Sequence, residues 1–244
     1  MGEQAETDQT GIRPYTAERY KRLVEDSTNQ GLQAYMEAER HFLASVENAR
    51  ARTFVELGAG HGRALPLLAS VAREAVCIEL NQDMLAELRA RSERHGNVTV
   101  IDGDVQELPR LLEGLDLVSP VVALLQNTLG TIEGDERRVL TAMKDVAAAA
   151  DGDVILSLFR QSALPGWGME MYEQLSEMIG EPDPARTDFR NGLFASSTGY
   201  VSKWWSDEEV QEMKAFFGGE LVREVVDDAF VILRMRPGPD HSPI

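Results

Sequence analysis

The sequence is poor in cysteine and has no long hydrophobic run. Its single cysteine, Cys77, lies in a short apolar stretch, so the 244-residue chain can form neither an internal disulfide nor a cysteine-based zinc site. We expect a buried structural thiol there, and the spacing of the histidines indicates no metal site. No stretch approaches the ~18 consecutive apolar residues of a membrane-spanning helix, and residues 1–4 lack the start of a signal peptide. We therefore expect a cytoplasmic protein with no membrane partner.

Positive charge is also scarce. The chain has 24 Lys and Arg against 41 Asp and Glu, which gives a formal net charge of -17 at pH 7. Such a surface repels phosphate backbones, and the few basic residues are scattered among acidic ones, so we expect no nucleic-acid partner. The charge favours solubility and does not identify a substrate.

Length and composition indicate a single domain with flexible ends. We expect residues 1–13 to be disordered, residues 14–236 to form the domain and residues 237–244 to be a flexible tail. The predicted parts of the domain are a helical cap (14–50), a core (51–160), an insertion (161–205) and a closing helix and hairpin (206–236).

Short apolar runs alternate with amphipathic segments through the core, which is typical of βαβ units. The predicted strands are Thr53–Leu57, Ala75–Leu80, Val98–Asp102, Val121–Gln126, Asp153–Phe159, Leu221–Val226 and Ala229–Met235. The pattern predicts an α/β fold with a doubly wound, mainly parallel sheet and helices on both faces.

The insertion and the last helix have their own signals. The turn-forming residues 190–192 precede Leu193–Trp205, which predicts a β-hairpin inserted after the fifth strand. Trp204 and Trp205 are adjacent, so on a strand they face opposite sides. Ser206 followed by Glu209 predicts a capping box at the start of a helix.

Three glycines, Gly58, Gly60 and Gly62, follow the first strand and precede a helix, in the manner of a nucleotide-binding loop. A dinucleotide site needs a third glycine at position 63, where this chain has Arg63. A phosphate-binding P-loop needs Gly-Lys-Ser or Gly-Lys-Thr, which is absent here. Both of these nucleotide sites are therefore disfavoured.

The run from Glu56 through Gly58, Ala59, Gly60 and Gly62 resembles motif I of the class I methyltransferases, in which an acidic residue precedes G-x-G-x-G. The resemblance extends over about residues 50–160 and implies a seven-stranded sheet. It also implies S-adenosylmethionine as the cofactor, with S-adenosylhomocysteine as the product. A carboxylate at Glu56 suits a cofactor that carries a cationic amino group.

Further matches to the same family follow the later strands. The resemblance implies that Glu79 accepts hydrogen bonds from the ribose hydroxyls, next to Leu80, and that Asp104 and the Val105 amide bind the adenine. Gln126 ends the fourth strand and completes the predicted cofactor site. A Rossmann-like domain without a nucleotide, in which Glu79 and Asp104 are solvated strand ends, is the alternative.

The substrate side is less well defined. Asn127 and Thr128 resemble the strand-four loop of small-molecule N-methyltransferases, which favours an N or O acceptor on a small molecule. The other candidate substrate-binding residues are Tyr15, Tyr20, Arg160, Tyr200 and Trp204, although the two N-terminal tyrosines fit equally well as core residues. We expect His61 to be exposed, and no general base is predicted.

Two other functions remain open from the sequence. An acidic surface could attract a basic peptide, as in a protein methyltransferase, and the domain could also bind S-adenosylmethionine without catalysis. The oligomeric state, monomer or homodimer, is not determined.

Overall fold

The computed structural model describes residues 16–238, and a seven-stranded mixed sheet with the order β3-β2-β1-β4-β5-β9-β8 forms its centre. Within this sheet, β9 runs in the direction opposite to that of the other six strands. A separate antiparallel pair is formed by β6 and β7. The strands are β1 (Thr53–Leu57), β2 (Glu74–Glu79), β3 (Val98–Asp102), β4 (Val121–Leu124), β5 (Asp153–Phe159), β6 (Leu193–Ala195), β7 (Val201–Lys203), β8 (Glu220–Val226) and β9 (Phe230–Arg236). The predicted α/β fold class, sheet and hairpin are confirmed.

Helices cover both faces of the sheet. They are α1 (Ala17–Tyr20), α2 (Gln30–Ala44), α3 (Leu65–Val71), α4 (Gln82–Ser92), α5 (Leu108–Leu111), α6 (Glu136–Ala149), α7 (Met169–Gln174), α8 (Ser176–Ile179) and α9 (Asp207–Phe217). A π-helical turn, Lys21–Glu25, continues α1, and another, Leu164–Gly168, leads into α7. Within residues 16–238, no helix is long and apolar enough to cross a membrane.

The central strands β1, β4 and β5 are buried on both faces because each face packs on helices. All five residues of β1 are buried. Phe54 of β1 packs in one core cluster with residues of α2 and α3, whereas Val55 packs in a second cluster with residues of α6 and α9. Burial on both faces explains why the core strands appear in the sequence as continuous apolar runs and not as alternating ones.

The direction of winding places the functional site. The chain builds outward from β1 to β2 and β3, then crosses back to β4 on the other side of β1. In a doubly wound sheet a crevice opens at the carboxyl ends of the two strands where the order reverses. Here those strands are β1 and β4, which are followed by the glycine loop and by residues 125–130.

In the insertion and the last helix, two details agree with the sequence predictions and a third differs from them. Ser206 and Glu209 form the expected capping box. Trp204 and Trp205 lie in different core clusters, as expected from their adjacency. The hairpin strands are β6 and β7, joined through residues 196–200, whereas the predicted turn at 190–192 closes only a bridge between Asp188 and Leu193. The reason is local: the Asp188 carboxylate accepts from the backbone amides of two turn residues and ends the pairing.

The predicted chain ends fall largely beyond the described part of the chain. Residues 1–13, predicted to be disordered, lie outside the described residues, as do positions 239–244 of the predicted tail. Tyr15, a candidate substrate-binding residue, also lies outside them.

Candidate active site

A cavity of about 670 Å³ opens at the carboxyl ends of β1 and β4, and we group its lining residues into two lobes by the segments that carry them. The first, which we call the cofactor lobe, is formed by the loops after β1, β2, β3 and β4. The second, which we call the acceptor lobe, is formed by the segment from α1 to α2, the end of β5, and the insertion. Its lining residues are Val24, Leu32, Phe159, Met171, Tyr172, Leu175, Met178, Ile179, Thr198, Gly199, Tyr200, Val201 and Ser202.

The glycine loop follows β1 with left-handed backbone at all three glycines. A Cβ atom on Gly58 would lie 2.6 Å from Cγ2 of Thr128, so only glycine fits against that side chain. A Cβ atom on Gly60 would have nothing within 4 Å, because the loop there borders the cavity. A ligand can therefore approach the main chain at Gly60, beside Ala59.

Gly62 serves a different purpose from the predicted one. It does not border the cavity, and a Cβ atom there would lie 2.8 Å from Cδ1 of Leu88 on α4. The structure therefore gives this glycine a role in packing the loop on α4, and the expected contact with the cofactor is not supported.

Glu79, at the end of β2, holds the glycine loop in place. Its Oε2 accepts from the Gly60 amide at 2.7 Å, and its Oε1 accepts from the amides of Leu80 and Asn81 at 2.9 and 2.8 Å. A carboxylate offers about four acceptor positions, so one remains after these three bonds. Glu79 and Leu80 border the cofactor lobe, and the predicted ribose contact remains a prediction.

Asp104 and Val105 border the same lobe at the end of β3. Oδ1 of Asp104 accepts from the Gln106 amide at 2.9 Å and so caps the short 3₁₀ helix Val105–Glu107. Its Oδ2 has only a long contact, at 3.4 Å, with Nε2 of Gln106. This second oxygen is the one available to an adenine amino group.

Glu56, in β1, carries the clearest sign of a missing ligand. Its side chain borders the cavity although the residue is only 4% exposed. Its Oε2 is buried without a hydrogen-bond partner among the described residues. Burial, together with the nearby charges of Glu39 and Glu79, raises the pKa of Glu56 to about 8. A buried acceptor without a partner is costly, so the site is incomplete until a donor binds.

A second buried carboxylate, Glu39 of α2, links the cap to the cofactor lobe. It forms an ion pair with Arg63 and accepts from the Gln126 amide at 2.5 Å. Sequence reasoning missed both Glu39 and Arg63. A charged residue on the apolar side of an amphipathic helix was the available signal for Glu39, since Glu39 follows Tyr35 by one turn.

Gln126 and Asn127 both have left-handed backbone, with φ of +50° and +55°. Outside glycine this conformation is uncommon, and asparagine tolerates it best. The buried Asn127 side chain supports the turn: its Oδ1 accepts from the Phe159 amide and from Nε1 of Trp205, and its Nδ2 donates to the Lys203 carbonyl. These bonds hold the loop, and they occupy the groups expected to bind a substrate.

Thr128 is engaged in the same way. Its hydroxyl donates to the Leu125 carbonyl at 2.6 Å, while its methyl group packs against Gly58. Asn127 and Thr128 both border the cavity, but their contacts are those of residues that position the loop.

Tyr20 and Glu25 bring the N-terminal segment over the glycine loop. The Tyr20 hydroxyl donates to Oε1 of Gln126, and burial raises the Tyr20 pKa, which keeps the phenol neutral. The Tyr20 ring lies 5.1 Å from that of His61. His61 Nε2 is 2.9 Å from Oε1 of Glu25. The expectation that His61 is exposed is wrong, because the cap covers it and leaves it 1% exposed.

Two predicted substrate-binding residues lie away from the cavity. Trp204 is fully buried in the core, where its Nε1 donates to the Tyr172 hydroxyl at 2.8 Å. Arg160 pairs with Asp207 at 2.8 Å and donates to the Asp227 carbonyl. Both predictions of a cavity wall are therefore wrong, whereas Tyr200 does border the acceptor lobe.

Most of the acceptor lobe was missed from the sequence. Met171, Leu175, Met178 and Ile179 border it from α7 and α8 and recur at helical spacing, which was the available signal. Among residues 16–238, no cluster of three or more His, Cys, Asp and Glu side chains is arranged to hold a metal ion.

A family model described as a methyltransferase domain matches residues 54–148, which hold the glycine loop, Glu79 and Asp104. This match identifies residues 54–148 as a methyltransferase domain. The sequence motif predicts S-adenosylmethionine as the cofactor of this domain. The orphaned Oε2 of Glu56 and the open space over Gly60 fit this cofactor, because they offer an acceptor for its amino group and room along the loop.

Known proteins resemble the chain in fold more than in sequence. The PH0226 protein from Pyrococcus horikoshii OT3 is 18% identical with a TM-score of 0.62, over 90% of this chain and 98% of that one. A magnesium protoporphyrin IX methyltransferase from Synechocystis PCC 6803, solved with bound S-adenosylmethionine, is 13% identical with a TM-score of 0.53, over 89% of this chain and 88% of that one. At these identities the likeness establishes the methyltransferase fold.

One curated relative shares a short segment. The ribosomal RNA small subunit methyltransferase A of Acidobacterium capsulatum is 41% identical over 66 residues. That segment is 27% of this chain and 23% of the relative, so the match spans less than a quarter of that protein.

Proposed function

We propose that this protein transfers the methyl group of S-adenosylmethionine to an oxygen or nitrogen atom of a small molecule. The observation that carries the proposal is that a single cavity borders both the predicted cofactor residues and a separate set of residues from the cap and the insertion. An in-line displacement needs donor and acceptor side by side in such a space.

Bound S-adenosylmethionine supplies an activated methyl group. The protein therefore has to bind the cofactor and the acceptor, orient them and exclude water. Glu79 and Glu39 do this by holding the two loops: Glu79 holds the Gly60 amide and Glu39 holds the Gln126 amide. Tyr20 and Glu25 close the cap over the glycine loop. We assign no general base, and burial raises the pKa of Tyr20, which opposes ionisation of its phenol to a base.

A small molecule fits this site better than a nucleic acid or a peptide. The acceptor lobe is bounded by the cap on one side and by the insertion on another, which limits the size of an acceptor. The net charge of -17 opposes RNA, although the short matched relative acts on ribosomal RNA. RNA and basic peptides are therefore the competing acceptors that an experiment must include.

The test begins with cofactor binding by calorimetry. Gly60→Ala places a methyl group in the open space beside the loop, so we expect at least about tenfold weaker binding of S-adenosylmethionine. Gly114→Ala is the matched control, since Gly114 also has a left-handed backbone and open surroundings but does not border the cavity. It should lose about 1 kcal/mol of stability, as Gly60→Ala does, and keep its affinity.

Methyl transfer is then measured by mass spectrometry, as the gain of one methylene unit in phenol, amine, carboxylic-acid, basic-peptide and RNA panels. We expect products among the small molecules. Methylation confined to RNA or peptide would overturn the proposal, as would equal loss of cofactor affinity in both glycine variants.

A further inference from the structure

We infer that the acceptor lobe takes an uncharged, mainly apolar molecule with a polar group at its edge. This inference rests on the proposed function and narrows its substrate class. It follows from which side chains line the lobe and from where the charges of the cavity lie.

The insertion presents an apolar face to the lobe and its charges to solvent. Along α7 and α8, Met171, Leu175 and Met178 border the cavity, whereas the acidic residues of the same helices, such as Glu173 and Glu177, are exposed. This is an amphipathic segment whose apolar side covers a ligand space as well as the core. Methionine is flexible and polarisable, so such a wall adapts to a flat ring.

Neutral hydroxyl groups form the polar edge of the lobe. The Tyr172 hydroxyl accepts from Trp204 Nε1 at 2.8 Å, and it also interacts with the hydroxyls of Tyr200 and Ser202. Burial raises the pKa of Tyr172, so this edge stays uncharged at neutral pH. Hydroxyl groups can donate to or accept from a ligand hydroxyl or carbonyl, but they cannot neutralise a full charge.

The charged residues that border the cavity belong to the cofactor lobe. They are Glu56, His61, Arg63, Glu79, Asp104 and Glu133. His61 and Arg63, which lie toward the cap, already face carboxylates, Glu25 and Glu39 respectively. None of the described residues that line the acceptor lobe is Asp, Glu, Lys, Arg or His. A charged acceptor molecule would therefore lose its hydration on binding without gaining an oppositely charged partner. We expect it to bind weakly.

Three probes of nearly equal shape test this preference for an uncharged molecule: naphthalene-2-methanol, 2-naphthoate and 2-naphthylmethylammonium. Each is titrated at neutral pH into the protein saturated with S-adenosylhomocysteine. We expect naphthalene-2-methanol to bind measurably and each charged probe to bind at least about tenfold more weakly. Equal or tighter binding of a charged probe would overturn the inference, as would no measurable binding of the neutral one.

Met178→Glu adds a carboxylate to the lobe wall. It should weaken binding of naphthalene-2-methanol at least about tenfold and shift the preference toward the ammonium probe. Met169→Glu is the matched control: Met169 is equally half-buried on the neighbouring helix but does not border the cavity. An equal effect in both variants would contradict the assignment of the lobe.

A second pair of variants is used if the Met178→Glu protein does not fold. Val201 borders the lobe and is 38% exposed, so Val201→Glu should be tolerated, with Val226→Glu on β8 as its control. Affinity for S-adenosylhomocysteine is measured in every variant. Its loss in the wild type would contradict the proposed function itself, whereas intact affinity with equal binding of all three probes would contradict only the substrate class.

Discussion

Two buried carboxylates, Glu39 and Glu56, flank the cofactor loop and differ in their partners. Glu39 is fully engaged by Arg63 and by the Gln126 amide. Glu56 keeps one oxygen without a hydrogen bond among the residues the structure describes. Because Glu56 borders the cavity, its unpartnered oxygen is a candidate contact for a ligand, whereas the paired Glu39 holds parts of the protein together.

Glu56 should couple cofactor binding to a proton. Because burial raises its pKa to about 8, Glu56 is largely protonated at about pH 6 in the free protein. The ammonium group of a bound ligand favours the carboxylate, so S-adenosylhomocysteine binding should release close to one proton at that pH. Calorimetry in two buffers with different ionisation enthalpies measures this number.

Glu56→Gln provides the control for proton release. The variant should bind S-adenosylhomocysteine more weakly and without releasing the proton. In the free wild-type protein the raised pKa stabilises the fold below the unfolded pKa, and this stability is lost as pH rises toward about 8. The melting temperature of Glu56→Gln should therefore fall less over that range. Unchanged proton release in the variant would assign the proton to another group.

At the scale of elements, the N-terminal segment and the insertion together close the cavity. The Ala17 amide, at the start of α1, donates to Asp83 of α4, and Arg22 pairs with Glu177 of α8. Glu39 of α2 then reaches the glycine loop and the end of β4 at once. The cap is thus fastened at several points around the site.

Glu39→Gln tests how much the ion pair between Glu39 and Arg63 contributes to stability. Removing one partner of a buried ion pair leaves Arg63 uncompensated, so we expect a loss of about 3 kcal/mol in the free energy of unfolding by urea, together with weaker cofactor binding. Glu37→Gln on the same helix removes a solvent-exposed pair with Arg40 and should cost less than about 1 kcal/mol. Equal costs would mean that the Glu39 pair contributes no more than a surface contact.

At the scale of the whole molecule, charge is distributed unevenly. A cluster of positive charge lies at the start of β5, where the buried Asp153 forms ion pairs with Arg52, Arg234 and Arg236. Three of the 24 basic residues therefore belong to one ion-pair network, whereas the chain as a whole has a net charge of -17. Self-repulsion on such an acidic surface opposes the compact state.

Salt should therefore stabilise this protein. Raising NaCl from about 10 mM to about 200 mM shortens the screening length from about 30 Å to less than 10 Å, so the melting temperature should rise. Choline chloride at the same ionic strength should have a similar effect, because screening does not depend on the cation. A fall in melting temperature, or an effect confined to one cation, would exclude self-repulsion as the cause.

Local patterns in the sequence were sufficient for the strands, for the glycine loop and for the cofactor it binds. Parallel strands buried on both faces must be continuous apolar runs, and a tight turn beside a ligand must be glycine at Gly58 and Gly60. Glu56, Glu79 and Asp104 stand at fixed offsets from those strands, so the same local logic located them.

Tertiary structure alone decided the acceptor side and the roles of several polar residues. Asn127 and Trp204 are residue types that often bind a substrate, but their partners are residues tens of positions away in the chain. His61 is buried, and Arg63 half-buried, because a separate segment folds over them. Contacts between distant segments leave no periodic signal in the chain. The sequence by itself therefore determined the sheet and predicted the methyl donor's site, and the packing of the cap against the insertion decided the shape and charge of the space beside it.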